Sequence, residues 1–426
     1  MRRLFPNGSL RSLACLVLSL AAGLLTGCLG PRMQLLQQIE VDSSVTNIAF
    51  RNSLSAFVGT PFVASNRLTR LNNGDEIFPA MLNALRAATN TINLETFLWH
   101  SGSLSDEFIA AISERARAGV QVRIITDAIG SMDLDAADVE KLRAAGVNFN
   151  FYNPMRLHVL PRFYFRDHRK LLIVDGAVGF TGGVCIADEW TGDAETARQW
   201  RETHFRVEGP VVAQLQGVFA ANWLKTEGEL LFGEKFFPEL SASGESLAQA
   251  FRSGPQDGRE IARLVYLSAI AGARENIRIA QSYFVPDDLA MEALLAACER
   301  GVRVEIITPS VIDAGAVRRA SRSLWPQLLA AGASIYEYGP AMYHCKFMIV
   351  DDTFVTAGSV NFDQRSFRIN DESNINVFDA KLAAQLIADF EDDKRHSTRA
   401  TRRKLKMTPW YTRAYESLMG LFRSQF

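Results

Sequence analysis

The sequence predicts an α/β protein made of two similar halves. Three segments of the first half return in the same order in the second. The matched pairs are "INLETFLW" and "IRIAQSYF", "GVQVRIIT" and "GVRVEIIT", and "AAGVNFNFYNP" and "AAGASIYEYGP". Helix-like stretches separate these apolar runs, so each half has the order strand, helix, strand, helix, strand that is typical of α/β folds.

Each predicted element follows from a local pattern. The first run of each half is interpreted as a strand, which places Glu95 opposite Gln281. The stretches 105–118 and 287–300 come next and have apolar residues at the spacing of an amphipathic helix. The short apolar runs that follow these helices are typical of strands buried between helices.

A short pattern, H-x-K-x4-D, then occurs once in each half. Its residues are His168, Lys170 and Asp175 in the first half and His344, Lys346 and Asp351 in the second. Glycine follows both copies at the same distance, as Gly182-Gly183 and as Gly358-Ser359. Two copies in register, each with the same flank, indicate a duplicated half-site.

The place of each residue within the motif separates their roles. His and Lys are two residues apart, so on a strand both side chains project from the same face. The next four residues are wholly apolar in both copies, which is typical of a strand buried on both sides. Asp175 and Asp351 lie at the far end with the opposite parity. We expect them to orient the hairpin or to pair with a buried cation.

Two histidines and two lysines can transfer a phosphodiester group without a metal or a cofactor. One neutral imidazole attacks phosphorus and forms a phosphohistidine, while the other gives its proton to the leaving oxygen and later takes one from the acceptor. Histidine suits both tasks because its unperturbed pKa of about 6.5 allows both protonation states near neutrality. We expect Lys170 and Lys346 to hold the non-bridging oxygens.

Each histidine also needs a hydrogen-bond acceptor that orients its ring. Glu202 in "WRETHFRVEG" and Glu372 in "NDESNINVFD" precede matching strands and are equivalent in the repeat. We predict that these two glutamates bind the two motif histidines. The alternative is a pair of surface carboxylates at strand ends. The remaining histidines, His100, His158, His204 and His396, have no motif around them and are interpreted as surface or packing residues.

The double motif resembles the phospholipase D superfamily and, within it, the bacterial cardiolipin synthases. The segments that carry this resemblance are "GSVNFDQRSFRINDE" after the second motif, "NNGDEIFPAML", "INLETFLW" and "WRETHFRVEGP". The likeness covers about residues 66–393. It implies two similar lobes, each a mixed sheet flanked by helices, that are related by a pseudo-twofold axis with the active site at their interface.

The same resemblance implies roles for individual residues. His168 would be the nucleophile and His344 the acid and base, and the aspartates of both motifs count among the catalytic residues. Gly183, Ser359 and Asn361 would lie near the phosphate. One departure is Cys185, which stands where the family usually has an asparagine. Cysteine cannot offer the amide contact of Asn361, so the phosphate pocket is expected to be lopsided or the acceptor to differ.

The N-terminus is predicted to direct the protein to a membrane. Arginines precede an uncharged apolar stretch that ends at Leu25-Thr26-Gly27-Cys28, which resembles a bacterial lipoprotein cleavage site. The alternative is an uncleaved signal anchor in the inner membrane. The predicted organisation is a signal peptide at 1–27, a tether at 28–65, lobes at 66–240 and 261–393, a linker at 241–260, and a basic and aromatic membrane-proximal tail at 394–426.

The expected function is a membrane-tethered phosphatidyltransferase that makes cardiolipin from phosphatidylglycerol, with phosphatidylethanolamine as a possible second phospholipid. Lipidation at Cys28 would place it on the periplasmic or outer side of a bacterial membrane. The alternatives are a phospholipase D that releases phosphatidic acid, a nuclease, and an inactive lipid-binding scaffold. A formal net charge of −1 does not favour a nucleic-acid partner.

Overall fold

The computed structural model describes residues 37–154, 165–256, 258 and 260–421. The chain from Gln37 onward is one compact unit. In this part of the chain a single 15-stranded sheet runs through both lobes, and two further short strands pair between the lobes. No helix of the described residues combines the length and the apolar character needed to cross a membrane.

The first lobe follows helix α1 (Ile48–Val58) and alternates strands with helices. Its elements are β1 (Val63–Asn72), α2 (Asn73–Ala87), β2 (Thr91–Thr96), α3 (Ser103–Arg117), β3 (Gln121–Asp127), α4 (Ala136–Ala144), β4 (Asn148–Tyr152), β5 (Leu171–Val174), β6 (Val178–Gly182), β7 (Trp200–Arg201), β8 (Thr203–Glu208) and α5 (Val212–Glu227).

The second lobe repeats this order and adds a C-terminal extension. Its elements are β9 (Ser246–Ser253), α6 (Ile261–Gly272), β10 (Asn276–Gln281), α7 (Asp288–Glu299), β11 (Arg303–Pro309), α8 (Gly315–Ala330), β12 (Ser334–Tyr338), β13 (Met342–Tyr343), β14 (Lys346–Val350), β15 (Phe354–Gly358), α9 (Gln364–Arg368), β16 (Glu372–Phe378), α10 (Ala380–Arg395), β17 (Ser397–Arg399), α11 (Arg402–Met407) and α12 (Trp410–Leu421).

The order of strands in the large sheet is symmetric about its centre. From the centre outward, one side reads β1, β8, β6, β5, β2, β3, β4, and the other reads β9, β16, β15, β14, β10, β11, β12. Within each lobe the last three strands are parallel and the others are antiparallel. The predicted α/β class, with two mixed-sheet lobes in a pseudo-twofold arrangement, is confirmed.

The motif strands are buried on both sides, as their apolar sequences predicted. Leu171 and Ile173 of β5 pack into one hydrophobic cluster, whereas Leu172 and Val174 pack into another on the opposite face. All five residues of β14 are likewise buried. The strand that carries each motif is therefore fixed between two layers of core, and the residues just before it are positioned rigidly.

The predicted linker at 241–260 is wrong in its central part. Residues Ser246–Ser253 form strand β9, which pairs with β16 on one side and with β1 on the other. The serines and glycines that suggested a linker lie mainly at the ends of this strand. Its interior residues Ala248, Ala250 and Phe251 are buried at the centre of the sheet.

The predicted tether and tail are also more ordered than their composition indicated. In the tether, Phe50 and Leu54 of α1 are buried, and Phe50 lies against Gly272 at the end of α6. The boundary at residue 393 falls inside α10, and the residues beyond it add β17 to the sheet beside β12. Residues 1–36, including Cys28, lie outside the described residues.

Candidate active site

The two motif histidines lie just before equivalent strands, β5 and β14. A main-chain hydrogen bond ties each of them to the opposite lobe. The His168 N–H donates to the Asp371 carbonyl at 2.9 Å, and the His344 N–H donates to the Arg201 carbonyl at 2.7 Å. These cross-lobe contacts place both motifs at the interface between the lobes, as the family resemblance implied.

Each histidine is paired with the glutamate of the other lobe. His168 Nδ1 lies 2.9 Å from Glu372 Oε1, and His344 Nδ1 lies 2.6 Å from Glu202 Oε2. The predicted contacts between the glutamates and the histidines are present. Each contact joins a histidine of one lobe to a glutamate of the other, which the sequence did not predict. A carboxylate partner favours the tautomer with the proton on Nδ1, which leaves a lone pair on Nε2. The Nε2 of His344 lies 3.1 Å from Lys346 Nζ.

Burial determines the charge of both imidazoles. It lowers the pKa of His168 to about 4, although the Glu372 carboxylate acts in the opposite direction. Burial also lowers the pKa of His344 well below its ordinary value, and the ammonium groups of Lys346 and Lys170 and the ring of His168 add to this effect. Both rings are therefore neutral at pH 7 in the free protein. The influence of Lys346, Lys170 and His168 on His344 indicates that these residues belong to one site.

Glu372 is surrounded by hydrogen-bond donors. Besides His168, its carboxylate accepts from Ser359 Oγ, from Ser366 Oγ at 2.7 Å and from Asn370 Nδ2 at 3.4 Å. Burial alone would raise the pKa of Glu372, but its hydrogen-bond partners and nearby positive charge outweigh that effect and lower it. Glu372 is therefore ionised at neutral pH.

Glu202 has fewer donors in the equivalent place. Besides His344, its carboxylate accepts from the Thr203 N–H at 2.9 Å. Burial raises the pKa of Glu202 to about 7, against the lowering effect of Lys346. At neutral pH the His344–Glu202 pair therefore holds a proton close to the reacting centre part of the time.

Both motif lysines reach back to their own histidines. Lys170 Nζ donates to the His168 carbonyl at 2.6 Å and lies 5.2 Å from the centre of the Phe97 ring. Lys346 Nζ donates to the His344 carbonyl at 2.9 Å. Burial lowers the pKa of Lys346 to about 8, although Glu202 acts in the opposite direction.

The motif aspartates are structural, so their assignment as catalytic residues is corrected. Asp175 accepts from the backbone N–H groups of Thr89, Asn90 and Thr91. Asp351 accepts from the backbone N–H groups that begin the equivalent strand, at Arg274, Glu275 and Asn276. Four strand residues separate each aspartate from its motif lysine, so the two Cα atoms are about 16 Å apart. Each aspartate therefore fixes the hairpin after its motif strand to the start of the neighbouring strand, which agrees with the orienting role that its parity predicted.

The residues expected near the phosphate differ between the lobes. Ser359 is fully buried and its hydroxyl donates to Glu372, so it acts on the glutamate. Gly183 occupies the equivalent place, where an added Cβ would lie 2.3 Å from Glu202 Oε2. Asn361 Oδ1 accepts from Ser282 Oγ at 2.8 Å, whereas its counterpart Cys185 is buried and packs into the hydrophobic cluster of the first lobe.

His204 is a polar residue near the site that the sequence analysis did not single out. It is buried, and its Nδ1 has no hydrogen-bond partner among the described residues. It lines a cavity of about 10 Å³ together with Lys170 and Cys185, which is room for about one water molecule. Its counterpart in the repeat is Asn374, so the repeat contained a signal that this position is polar.

Two larger cavities flank the interface at equivalent places. One, of about 620 Å³, is lined by Tyr152, Pro154 and Asp371 and includes Arg143 and Lys225. The other, of about 400 Å³, is lined by their counterparts Tyr338, Pro340 and Arg201. The second cavity is strongly acidic, with lining residues Glu76, Asp193, Glu195, Asp389, Asp392 and Asp393. An anionic head group is repelled from the second cavity more than from the first.

The chain is similar in sequence to known proteins. A family model described as "Cardiolipin synthase, PLD-like domain" matches residues 81–223 and 266–394, once in each lobe. The chain belongs to this family. The cardiolipin synthase of Geobacillus kaustophilus is 34% identical over 364 residues, which cover 85% of this chain and 72% of that protein. Cardiolipin synthase 2 of Bacillus cereus is 36% identical over 331 residues, 77% of this chain and 64% of that protein.

The fold of this family member is also found in a solved structure of low sequence identity. Phosphatidylserine synthase from Haemophilus influenzae superimposes with a TM-score of 0.65 at 13% identity, covering 88% of this chain and all of that one. At this level of identity the match supports the fold alone. The two phospholipase D-like lobes of the cardiolipin synthase family are thus seen by sequence and by structure.

Proposed function

We propose that this protein is a phosphatidyltransferase that makes cardiolipin from phosphatidylglycerol, through a phosphohistidine intermediate, at a bacterial membrane. The observation that carries the proposal is the crossed pairing of His168 with Glu372 and of His344 with Glu202 at one interface. The similarity to proteins named cardiolipin synthase supports the choice of substrate. Phosphatidylethanolamine is the second phospholipid that we consider as a substrate.

The first step joins His168 to the phosphatidyl group. The lone pair on its Nε2 attacks phosphorus, and the bond from phosphorus to the glycerol head-group oxygen breaks. Ionised Glu372 stabilises the positive ring that forms, because its negative charge accepts a hydrogen bond from the Nδ1–H group. His344 gives a proton to the leaving glycerol oxygen. The negative charge of the bound phosphodiester favours this protonated form of His344, which burial disfavours in the free protein.

The second step transfers the phosphatidyl group to the acceptor. His344, now neutral, removes the proton from a head-group hydroxyl of a second phosphatidylglycerol. The oxygen of that hydroxyl attacks phosphorus, and the bond between phosphorus and His168 Nε2 breaks. The products are cardiolipin and the restored imidazole. The ammonium groups of Lys170 and Lys346, each held by a histidine carbonyl, stabilise the non-bridging oxygens in both steps.

Identifying the lipid products of the purified protein tests the proposal. Incubation with phosphatidylglycerol is expected to give cardiolipin and free glycerol. Phosphatidic acid alone would assign the site to hydrolysis, and no product would contradict an active enzyme. His168→Ala is expected to abolish product formation, whereas Lys381→Ala, at an exposed lysine of α10 outside both motifs, is the control.

We further propose that Cys28 carries a lipid anchor that holds the protein on the periplasmic or outer side of a membrane. The sequence Leu25-Thr26-Gly27-Cys28 after an apolar stretch supports this assignment. Metabolic labelling with an alkyne fatty acid is expected to label the wild type and not Cys28→Ser. Equal labelling of both would contradict the anchor, and an unlabelled, full-length wild type would favour an uncleaved signal anchor.

A further inference from the structure

The C-terminal helix α12 attaches to α8 of the second lobe through polar contacts. Arg322 Nε donates to Glu416 Oε1 at 2.8 Å, and the Arg319 guanidinium lies 4.8 Å from the centre of the Tyr415 ring. Glu416 is buried by this packing. The contacts fix which side of α12 faces the protein, and they leave its apolar residues elsewhere.

The apolar residues of α12 face solvent. Trp410 is 75% exposed, Tyr411 63%, Leu418 46% and Leu421 78%. At 100° per residue these four side chains fall within an arc of about 100° on the helix. Glu416 lies opposite that arc. An amphipathic helix whose apolar side points away from the core needs an apolar partner outside the described fold.

Exposed cations precede this stripe in the chain. The preceding helix α11 carries four of them, Arg402, Arg403, Lys404 and Lys406. The sequence has no acidic residue between Asp393 and Glu416. Tryptophan and tyrosine next to clustered cations fit the boundary of an anionic lipid bilayer, where aromatic rings lie at the head groups and cations meet phosphate.

The start of α12 lies at the same edge of the sheet as the active site. Lys346 pairs with Gln281 at the end of β10, so the motif is at the C-terminal edge of β10 and β11. Helix α8 begins at this edge, shortly after β11. Arg319 contacts Tyr415 and Ser323 lies against Gly420, so α12 runs in the same direction as α8. The N-terminal end of α12, with Trp410, is therefore nearest this edge.

We infer that the outward face of α12, with the cations of α11, binds the surface of an anionic phospholipid bilayer and turns the active-site edge toward it. The charge of the segment selects this partner over a second copy of the chain, because the cations of two copies would repel each other. The inference rests on the proposed function only for the choice of phosphatidylglycerol as the anionic lipid.

The test places a polarity-sensitive fluorophore on the stripe of the intact protein in vesicles. Leu418→Cys carries the label, and Lys381→Cys on exposed α10 is the matched control, both in a background with Cys15→Ser, Cys28→Ser and Cys298→Ser. With phosphatidylglycerol in the vesicles, the label at 418 is expected about 5–10 Å inside the boundary of head groups and acyl chains, where brominated lipids quench it. The label at 381 is expected to stay in water.

Charge reversal supplies a second measurement. Replacing Arg402, Arg403 and Lys404 with Glu is expected to lower the ratio of bilayer-bound to free α12 about fivefold for each charge removed. Equal exposure of both labels to water would overturn the inference. Shielding at 418 that depends on protein density and not on phosphatidylglycerol would also overturn it, in favour of a second copy. The same measurements in His168→Ala involve no turnover, so loss of transferase activity alone leaves this inference standing.

Discussion

Glu372 and Glu202 occupy equivalent places in the two half-sites, but their surroundings differ. Glu372 accepts from Ser359, Ser366, Asn370 and His168, and its pKa is lowered. Glu202 has the Thr203 N–H and His344 for partners, and burial raises its pKa to about 7. A duplicated motif therefore supports two different chemical tasks. The histidine beside the permanent anion suits the nucleophile, and the one beside the proton-holding carboxyl suits the acid and base.

The largest difference is expected between the two histidines. His168→Ala removes the proposed nucleophile and is expected to lower cardiolipin formation by more than about 10⁴-fold. His344→Ala removes the proposed acid and base and is expected to cost about 10²- to 10⁴-fold. The measurement is the initial rate with phosphatidylglycerol. A substrate whose leaving group needs no proton should restore part of the activity of His344→Ala but not of His168→Ala. Equal activity of the two variants with that substrate would contradict the division of roles.

The glutamates provide the next comparison. Glu372→Gln removes a charge that stabilises the positive ring on His168, so kcat is expected to fall by about 10²-fold or more. Glu202→Gln resembles the neutral form that Glu202 already adopts in part at pH 7, and its loss should be smaller by about tenfold. Steady-state kinetics at pH 7 measure both. A greater loss for Glu202→Gln would reverse the comparison.

The pH profile is expected to follow Lys346. Burial lowers the pKa of this ammonium to about 8, so its charge is present below that pH and lost above it. The rate should fall about tenfold per pH unit above the pKa, because the neutral amine no longer stabilises the phosphate. Lys346→Arg keeps its charge at alkaline pH and should flatten this limb. An unchanged limb in that variant would assign it to another group.

A reciprocal exchange tests why the glutamates differ. Ser359→Gly removes a charge-assisted hydrogen bond from Glu372 and is expected to cost about 1.5–3 kcal/mol of stability. Gly183→Ser places new atoms against Glu202 and is expected to cost about 1–3 kcal/mol through crowding. Chemical denaturation gives both values. Because Ser359 helps to hold Glu372 ionised, the pH profile of kcat is expected to shift in Ser359→Gly and not in Gly183→Ser.

The smallest effect on activity is expected at the motif aspartates. Asp175→Asn and Asp351→Asn should lower stability by about 1–2 kcal/mol and leave kcat within about threefold. Burial raises the pKa of Asp175, but the backbone N–H groups of residues 89–91 outweigh this and lower it. The stability that Asp175 contributes is therefore present above about pH 4 and lost as the pH falls further. Loss of activity in a folded Asp175→Asn variant would restore a catalytic role.

The repeat made much of the fold and site predictable. Aligning the halves segment by segment identified Glu202 and Glu372 as partners of the histidines without any structure. It could not specify that the pairs cross between lobes, because either arrangement satisfies the same alignment. The family resemblance implied that Ser359 lies near the phosphate. The sequence does not reveal that its hydroxyl donates to a glutamate.

Composition was a weaker guide than the repeat. Strand β9 was missed because serine and glycine at its ends mask a short buried interior. Helix α1 was missed because its stability comes from packing Phe50 and Leu54 against the second lobe, not from a strong local pattern. His204 was interpreted from the absence of a motif around it. The sequence did not reveal that it is buried beside Lys170.

Trapping the covalent intermediate tests the central claim most directly. In His344→Ala, a phosphatidyl ester with a p-nitrophenyl leaving group needs no proton for the first step, and transfer to the acceptor is slow. The account predicts a burst of nitrophenol of about one per active site, with mass spectrometry locating the phosphatidyl group on His168. An adduct on another residue, or turnover without any adduct, would contradict it.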